Sequence, residues 1–88
     1  MKIENLYNHL PRNFFMTPNV LAYAVIKNGQ QIVELSDGSN LDHSGKIYEV
    51  SVLEINNGTR YGLSSVRDLS QMFTDWSEAK KYYNLLTY

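Results

Sequence analysis

IYEVSVLEINNGTRYGLS, residues 47–64, is the stretch whose pattern decides the fold of this chain. Side chains alternate along a strand, so Tyr48, Val50 and Val52 share one side while Ile47, Glu49, Ser51 and Leu53 share the other. β-Branched and aromatic residues favour this pleated, half-buried setting. Asn56-Asn57-Gly58 reads as a turn, and Thr59 to Ser64 as the returning strand of a hairpin. Gly62, placed within that second strand, suggests a bulge or the close approach of another backbone.

Working towards the N-terminus, Val20 to Lys27 and Gln30 to Leu35 flank Asn28-Gly29. Asn-Gly readily takes the positive φ angles of a type I′ turn, so these runs form a second hairpin. A helix competes for the same stretch, with Thr17 as its cap, Pro18 in its first turn and Gly29 past its end. The β-branched Val20, Val25 and Ile26 favour the strand, and the hairpin is the expectation adopted. Ser36 to Gly45, the most polar stretch, reads as a surface loop. Ile3, Leu6, Tyr7 and Leu10 fall on one face of a short N-terminal helix, which Pro11 ends. Arg12 to Asn19 is then a connection.

Towards the C-terminus, Val66, Leu69, Met72 and Phe73 suit a short helix and an extended run equally well. A helix starts at Asp75-Trp76-Ser77-Glu78, where Asp75 can accept from the backbone N–H three residues on and Glu78 can reach back. Trp76, Ala79, Tyr83 and Leu86 make its buried stripe, with Lys80 and Lys81 mostly outside. Helix, hairpin, hairpin and helix together predict a single small α+β domain over residues 1–88. Its antiparallel sheet of about four strands would pack under the C-terminal helix, with a short N-terminal helix. A small, partly closed barrel is the alternative, since both faces of Val20 to Ile26 are apolar.

Composition narrows the function classes. Of 88 residues, 43% are hydrophobic and eleven are aromatic, which supports a folded core and argues against intrinsic disorder. The absence of cysteine removes disulfides, thiolate chemistry and cysteine-ligated metals. Eight Lys and Arg against nine Asp and Glu leave a net charge of −1, without the basic excess of most nucleic-acid binders. The charge is uneven: residues 34–54 carry −4, from Glu34, Asp37, Asp42, Glu49 and Glu54 against Lys46. No signal-peptide pattern opens the chain, and Val20 to Ile26 is too short an apolar run to cross a bilayer. A cytoplasmic protein without membrane contact is expected, and Asn57-Gly58-Thr59 is read as a turn and not as a glycosylation site.

No catalytic, metal or cofactor site is expected. Asp42-His43-Ser44 holds the residue types of a hydrolase triad, but three consecutive residues cannot face one another productively. Asp37, Asn40, Asp42 and His43 lack the alternating ligands and closing Glu of a calcium loop. Gly38 and Gly45-Lys46 lie too far apart for a phosphate loop, and Ile47 stands where Ser or Thr would hold magnesium. Glu49 and Glu54, five apart on one strand, face opposite sides and cannot act as a pair. His9 reads as an exposed or capping residue.

Seven tyrosines are the notable excess. Tyrosine joins a large apolar ring to a polar tip and is enriched at interfaces. The expected function is therefore a non-enzymatic protein–protein interaction module, with Trp76, Tyr82 and Tyr88 forming the binding edge. By analogy of size and composition it suits a phage- or mobile-element-type inhibitor of a host protein. A homodimer through an edge strand or the C-terminal helix is compatible with so small a domain. The alternative is a nucleic-acid-associated module. It would stack bases on Tyr48 and Tyr61 as cross-strand neighbours and meet phosphates with Arg60, Lys80 and Lys81, joined by Lys27 and Arg67.

Overall fold

A computed structural model describes residues 2–10, 19–37 and 47–88 of the chain. It shows an α+β domain with the helices and strands α1 (Ile3–Asn8), β1 (Asn19–Ile26), β2 (Gln31–Asp37), β3 (Tyr48–Ile55), β4 (Leu63–Ser65), β5 (Gln71–Phe73) and α2 (Trp76–Thr87). The strands form one antiparallel sheet in the order β1-β2-β3, with β4 and β5 both paired to the outer side of β3. Among the described residues the sheet is open, not a barrel. Among the described residues β1 is one edge, and β4 and β5 share the other.

The first hairpin forms as the Asn-Gly pair predicts. Asn28 (φ 56°, ψ 37°) and Gly29 (φ 85°) occupy the central positions, and the Gln30 N–H donates to the Lys27 carbonyl at 3.1 Å. Lys27 is itself left-handed, at φ 52°, so the ladder begins one step later, at Ile26 opposite Gln31. The competing helix does not form over residues 19–26, and its proposed cap at Thr17-Pro18 lies outside the described residues. A bulge interrupts β1 between Val20 and Ala22.

The second hairpin departs from its expected length. Residues 56–62 are turn, and the returning strand runs only from Leu63 to Ser65. The turn is closed by hydrogen bonds that compete with a ladder: Thr59 Oγ1 donates to the carbonyls of Asn56 and Leu63, and the Gly58 N–H donates to Asn56 Oδ1. Gly62 is therefore not a strand residue. It sits at φ 80°, and a Cβ there would meet Leu6 Cδ2 at 3.1 Å, so the close approach is that of an α1 side chain, not of a backbone.

Residues 66–70 turn, and 71–73 add the short strand β5, beyond the four strands expected. This works because β3 is longer than either partner on its outer side. Leu53–Ile55 pair with β4 and Tyr48–Val50 with β5. Val52, wholly buried between them, is satisfied from the loop: its carbonyl accepts from the Val66 N–H at 2.7 Å, and its N–H donates to Ser70 Oγ at 3.0 Å.

Both faces of the sheet carry core. Val33, Leu35, Tyr48, Val50 and Val52 pack against Ala79 of α2, with Tyr82, Tyr83 and Leu86 around it. On the opposite face Ile32 and Leu63 pack against Ile3, with Leu6, Tyr7, Leu10 and Ile55 around them. Each fully buried Ile, Leu or Val contributes about 1.5–3 kcal/mol by leaving water. The predicted alternation of β3 thus holds. The predicted stripe of α2 holds at Ala79, Tyr83 and Leu86, but Trp76 is 41% exposed and rests on the edge of the core. The Ser36–Gly45 loop lies outside the described residues except for Ser36 and Asp37, as does the connection before Asn19. So do Asp42-His43-Ser44, the residues Asn40, Asp42 and His43 of the rejected calcium loop, and Gly38 to Lys46.

Candidate protein-binding groove

Beside its buried stripe, α2 and its C-cap place Tyr82, Leu85 and Tyr88 three apart along one helix face, with the charged Glu78 and Lys81 alongside. Glu78, Lys81, Tyr82, Asn84, Leu85 and Tyr88, with Phe73 from β5, line an open groove of about 400 Å3. The cap of α2 sets its position: Asp75 accepts from the Ser77 N–H at 3.4 Å, two residues on and not three. β5 supplies the other wall, because the Tyr48–Phe73 pairing holds Phe73 beside the helix. Phe73 and Tyr82 then pack ring to ring at 5.6 Å, and the Tyr82 hydroxyl donates to the Leu69 carbonyl at 2.5 Å. That bond fixes the tyrosine as a rigid wall. Leu85 is 73% exposed, and Tyr88 is fully exposed.

Of the binding residues expected from sequence, the structure brings Tyr82 and Tyr88 together in this groove. Trp76 is not among its lining residues; it packs against Tyr48 at a tilt, with ring centroids 5.3 Å apart and ring planes 57° apart. Phe73 and Leu85 were missed. The helical spacing of Tyr82, Leu85 and Tyr88 was the available signal for Leu85, whereas nothing local marks Phe73 as a neighbour of Tyr82.

The residues expected to contact nucleic acid are not assembled. Tyr48 is buried beneath Trp76 and lies opposite Phe73, while Tyr61 belongs to the turn before β4, so the two are not cross-strand neighbours. The Arg60 guanidinium lies over the Tyr61 ring, 5.5 Å from its centroid. Lys81 lines the groove. Lys80, the preceding residue, is exposed and points about 100° away around the helix.

A polar cluster that sequence reasoning missed lies on the α1 side of the sheet. Glu49 and Glu54 do face opposite sides, but strand register brings Glu34 and Glu49 to one face: Glu34 is opposite Ser51, and Glu49 is opposite Ser36. The Tyr7 hydroxyl donates to Glu34 Oε2 at 2.5 Å, and Ser51 Oγ donates to Glu49 Oε1 at 2.7 Å. Glu34 is only 4% exposed. Burial pushes its carboxyl above the usual range, the Tyr7 bond pulls it back down, and the nearby charge of Glu49 raises it further. Tyr7 is pushed up, first by burial and then by its bond to Glu34 and that group's charge. Its ring also packs on Tyr23 at 5.0 Å. Glu34 does not line the groove, and its observed bond ties α1 to the sheet. Among the described residues no three acidic, histidine or cysteine side chains converge as metal ligands, and no helix is long and apolar enough to cross a membrane. His9 is exposed, with Nδ1 2.6 Å from the Asn5 carbonyl oxygen.

Comparison with known protein families, with curated proteins and with solved structures finds no match to this chain.

Proposed function

We propose that this domain is a non-enzymatic protein–protein interaction module whose binding site is the groove between β5 and α2. The observation that carries this reading is the exposure of Leu85 and Tyr88 beside a wall of Phe73 and Tyr82 held rigid by the Tyr82–Leu69 hydrogen bond. A preformed aromatic wall takes an apolar anchor at low entropic cost, which is how small interaction surfaces concentrate their affinity. Glu78 and Lys81 at the lining suit a partner segment that flanks its apolar anchor with charge of both signs. An amphipathic helix laid along α2 would meet these requirements. An inhibitor of a host protein is one role such a groove could serve, by occupying a surface the host protein needs.

The test is capture of partners from native lysate by the tagged chain, with nuclease present, in parallel with Leu85→Glu and Tyr88→Ala. A protein held by the parent chain and lost from both variants supports the groove. A protein held equally by all three refutes it. Capture that disappears on nuclease treatment in every case would favour the nucleic-acid alternative and turn attention to Arg60, Lys80 and Lys81.

A further inference from the structure

We infer that β1 is a self-association edge, at which two copies of this chain pair antiparallel to make one continuous sheet. β1 is eight residues long and reads NVLAYAVI, with no charged residue and no proline. Its outer edge has no strand partner among the described residues. Val20, Leu21 and Tyr23 are each about half exposed, and Val25 is 37% exposed. Edge strands that remain single are usually short, interrupted by proline, or marked by lysine, because their free N–H and C=O groups template pairing. β1 has none of those protections along Ala22–Ile26. Its single irregularity is the bulge at Val20–Ala22, and its nearest cation is Lys27, beyond the strand end.

The occupant that suits this edge is a second copy. An uncharged strand meets itself without like-charge repulsion, whereas a charged partner strand would find no complement on it. The regular stretch Ala22–Ile26 has Ala24 at its centre. A two-fold axis there sets Ala24 against Ala24, Ala22 against Ile26 and Tyr23 against Val25. The last pairing matches an aromatic with a β-branched side chain on the α1 side of the sheet, where both are part-exposed, twice over, which is among the favoured cross-strand combinations. The first two keep Ala22, Ala24 and Ile26 on the face that α2 covers. The pairing is isologous and closes as a dimer.

β1 and β5 lie at opposite edges of the sheet, so the dimer leaves both grooves free. Resting on the groove reading, this makes the assembly bivalent for its partner, with avidity available wherever partner sites lie close together.

The measurement is molar mass by light scattering after gel filtration of the untagged chain, which needs no partner and stands apart from the groove test. The expected mass is twice the 10.2 kDa of one chain. Val25→Lys and Val25→Glu place like charges diagonally across the axis, and each alone should fall to the mass of one chain while keeping the parent's circular dichroism. An equimolar mixture of the two should recover the doubled mass. Leu85→Glu, on the groove, should leave the doubled mass unchanged. A parent chain of 10.2 kDa, a dimer indifferent to both Val25 variants, a mixture that stays monomeric, or a dimer lost in Leu85→Glu would each overturn the proposal.

Discussion

Replacing Tyr7 with Phe removes one hydroxyl and tests the junction between α1 and the sheet. The lost bond runs from the Tyr7 hydroxyl to the carboxyl of Glu34, at 2.5 Å, on a side chain only 4% exposed. A hydrogen bond to a charged group contributes about 1.5–3 kcal/mol, against about 0.5–1.5 kcal/mol for a neutral pair. Tyr7 is only half-buried, which places the loss in the lower half of the charged range, at about 2 kcal/mol. For a domain of this size that lowers Tm by ~8–16 °C. In a Glu34→Gln background the amide oxygen still accepts, but without charge, so the same Tyr7→Phe change should cost about 1 kcal/mol less. Urea unfolding followed by circular dichroism for the four members of this cycle at pH 7 measures the coupling. pH supplies an independent arm. The folded pKa of Glu34 is raised by burial, so its contribution is fully present below the unfolded carboxyl value and is lost as pH rises through the folded value. Glu34→Gln removes that loss, and its stability relative to the parent should climb as pH rises across the same window. Tyr7→Phe alone removes the influence that lowers the carboxyl, and should steepen the parent's decline. Equal costs of Tyr7→Phe in both backgrounds, or parallel pH curves for Glu34→Gln and parent, would refute the assignment of this pair as a buried charged bond.

Three further substitutions have defined outcomes. Ser70→Ala strips the wholly buried Val52 N–H of its acceptor and should cost about 1–3 kcal/mol in urea unfolding, with protection of that amide from hydrogen exchange reduced. Gly62→Ala forces a side chain into φ 80° and a Cβ to 3.1 Å from Leu6 Cδ2; the combined strain should cost about 1–3 kcal/mol, read as a drop in Tm. Lys27→Gly relieves a left-handed residue at φ 52° in the hairpin turn and should raise stability by about 1 kcal/mol, measured as a higher urea midpoint at unchanged m.

The groove and the carboxyl cluster were legible to different degrees. Tyr82, Leu85 and Tyr88 share a helical face by spacing alone, so half of the groove is present in the sequence of α2. Its other wall depends on β5, where Gln71-Met72-Phe73 has no pattern of its own and becomes a strand because β3 has an unpaired stretch to offer it. Trp76 was expected inside because it begins the stripe of Ala79 and Tyr83, but at the first turn of α2 it stays 41% exposed and packs at a tilt against Tyr48. Glu34 and Glu49 are fifteen positions apart and meet only through the register of β2 with β3.

What the sequence by itself determined is whatever short-range periodicity and turn chemistry control. The 3.6-residue pattern of α1 and α2, the two-residue alternation of β3 and the Asn28-Gly29 turn are set by neighbours within a few residues, and with them the α+β class follows. Tertiary structure decided the rest, because those outcomes are competitions between partners far apart in the chain. Thr59 bonding to Asn56 and Leu63 shortened β4, Leu6 closed over Gly62, and the long outer side of β3 recruited both β5 and Ser70. A buried N–H must find an acceptor wherever the fold can bring one, and no local pattern records which residue will supply it.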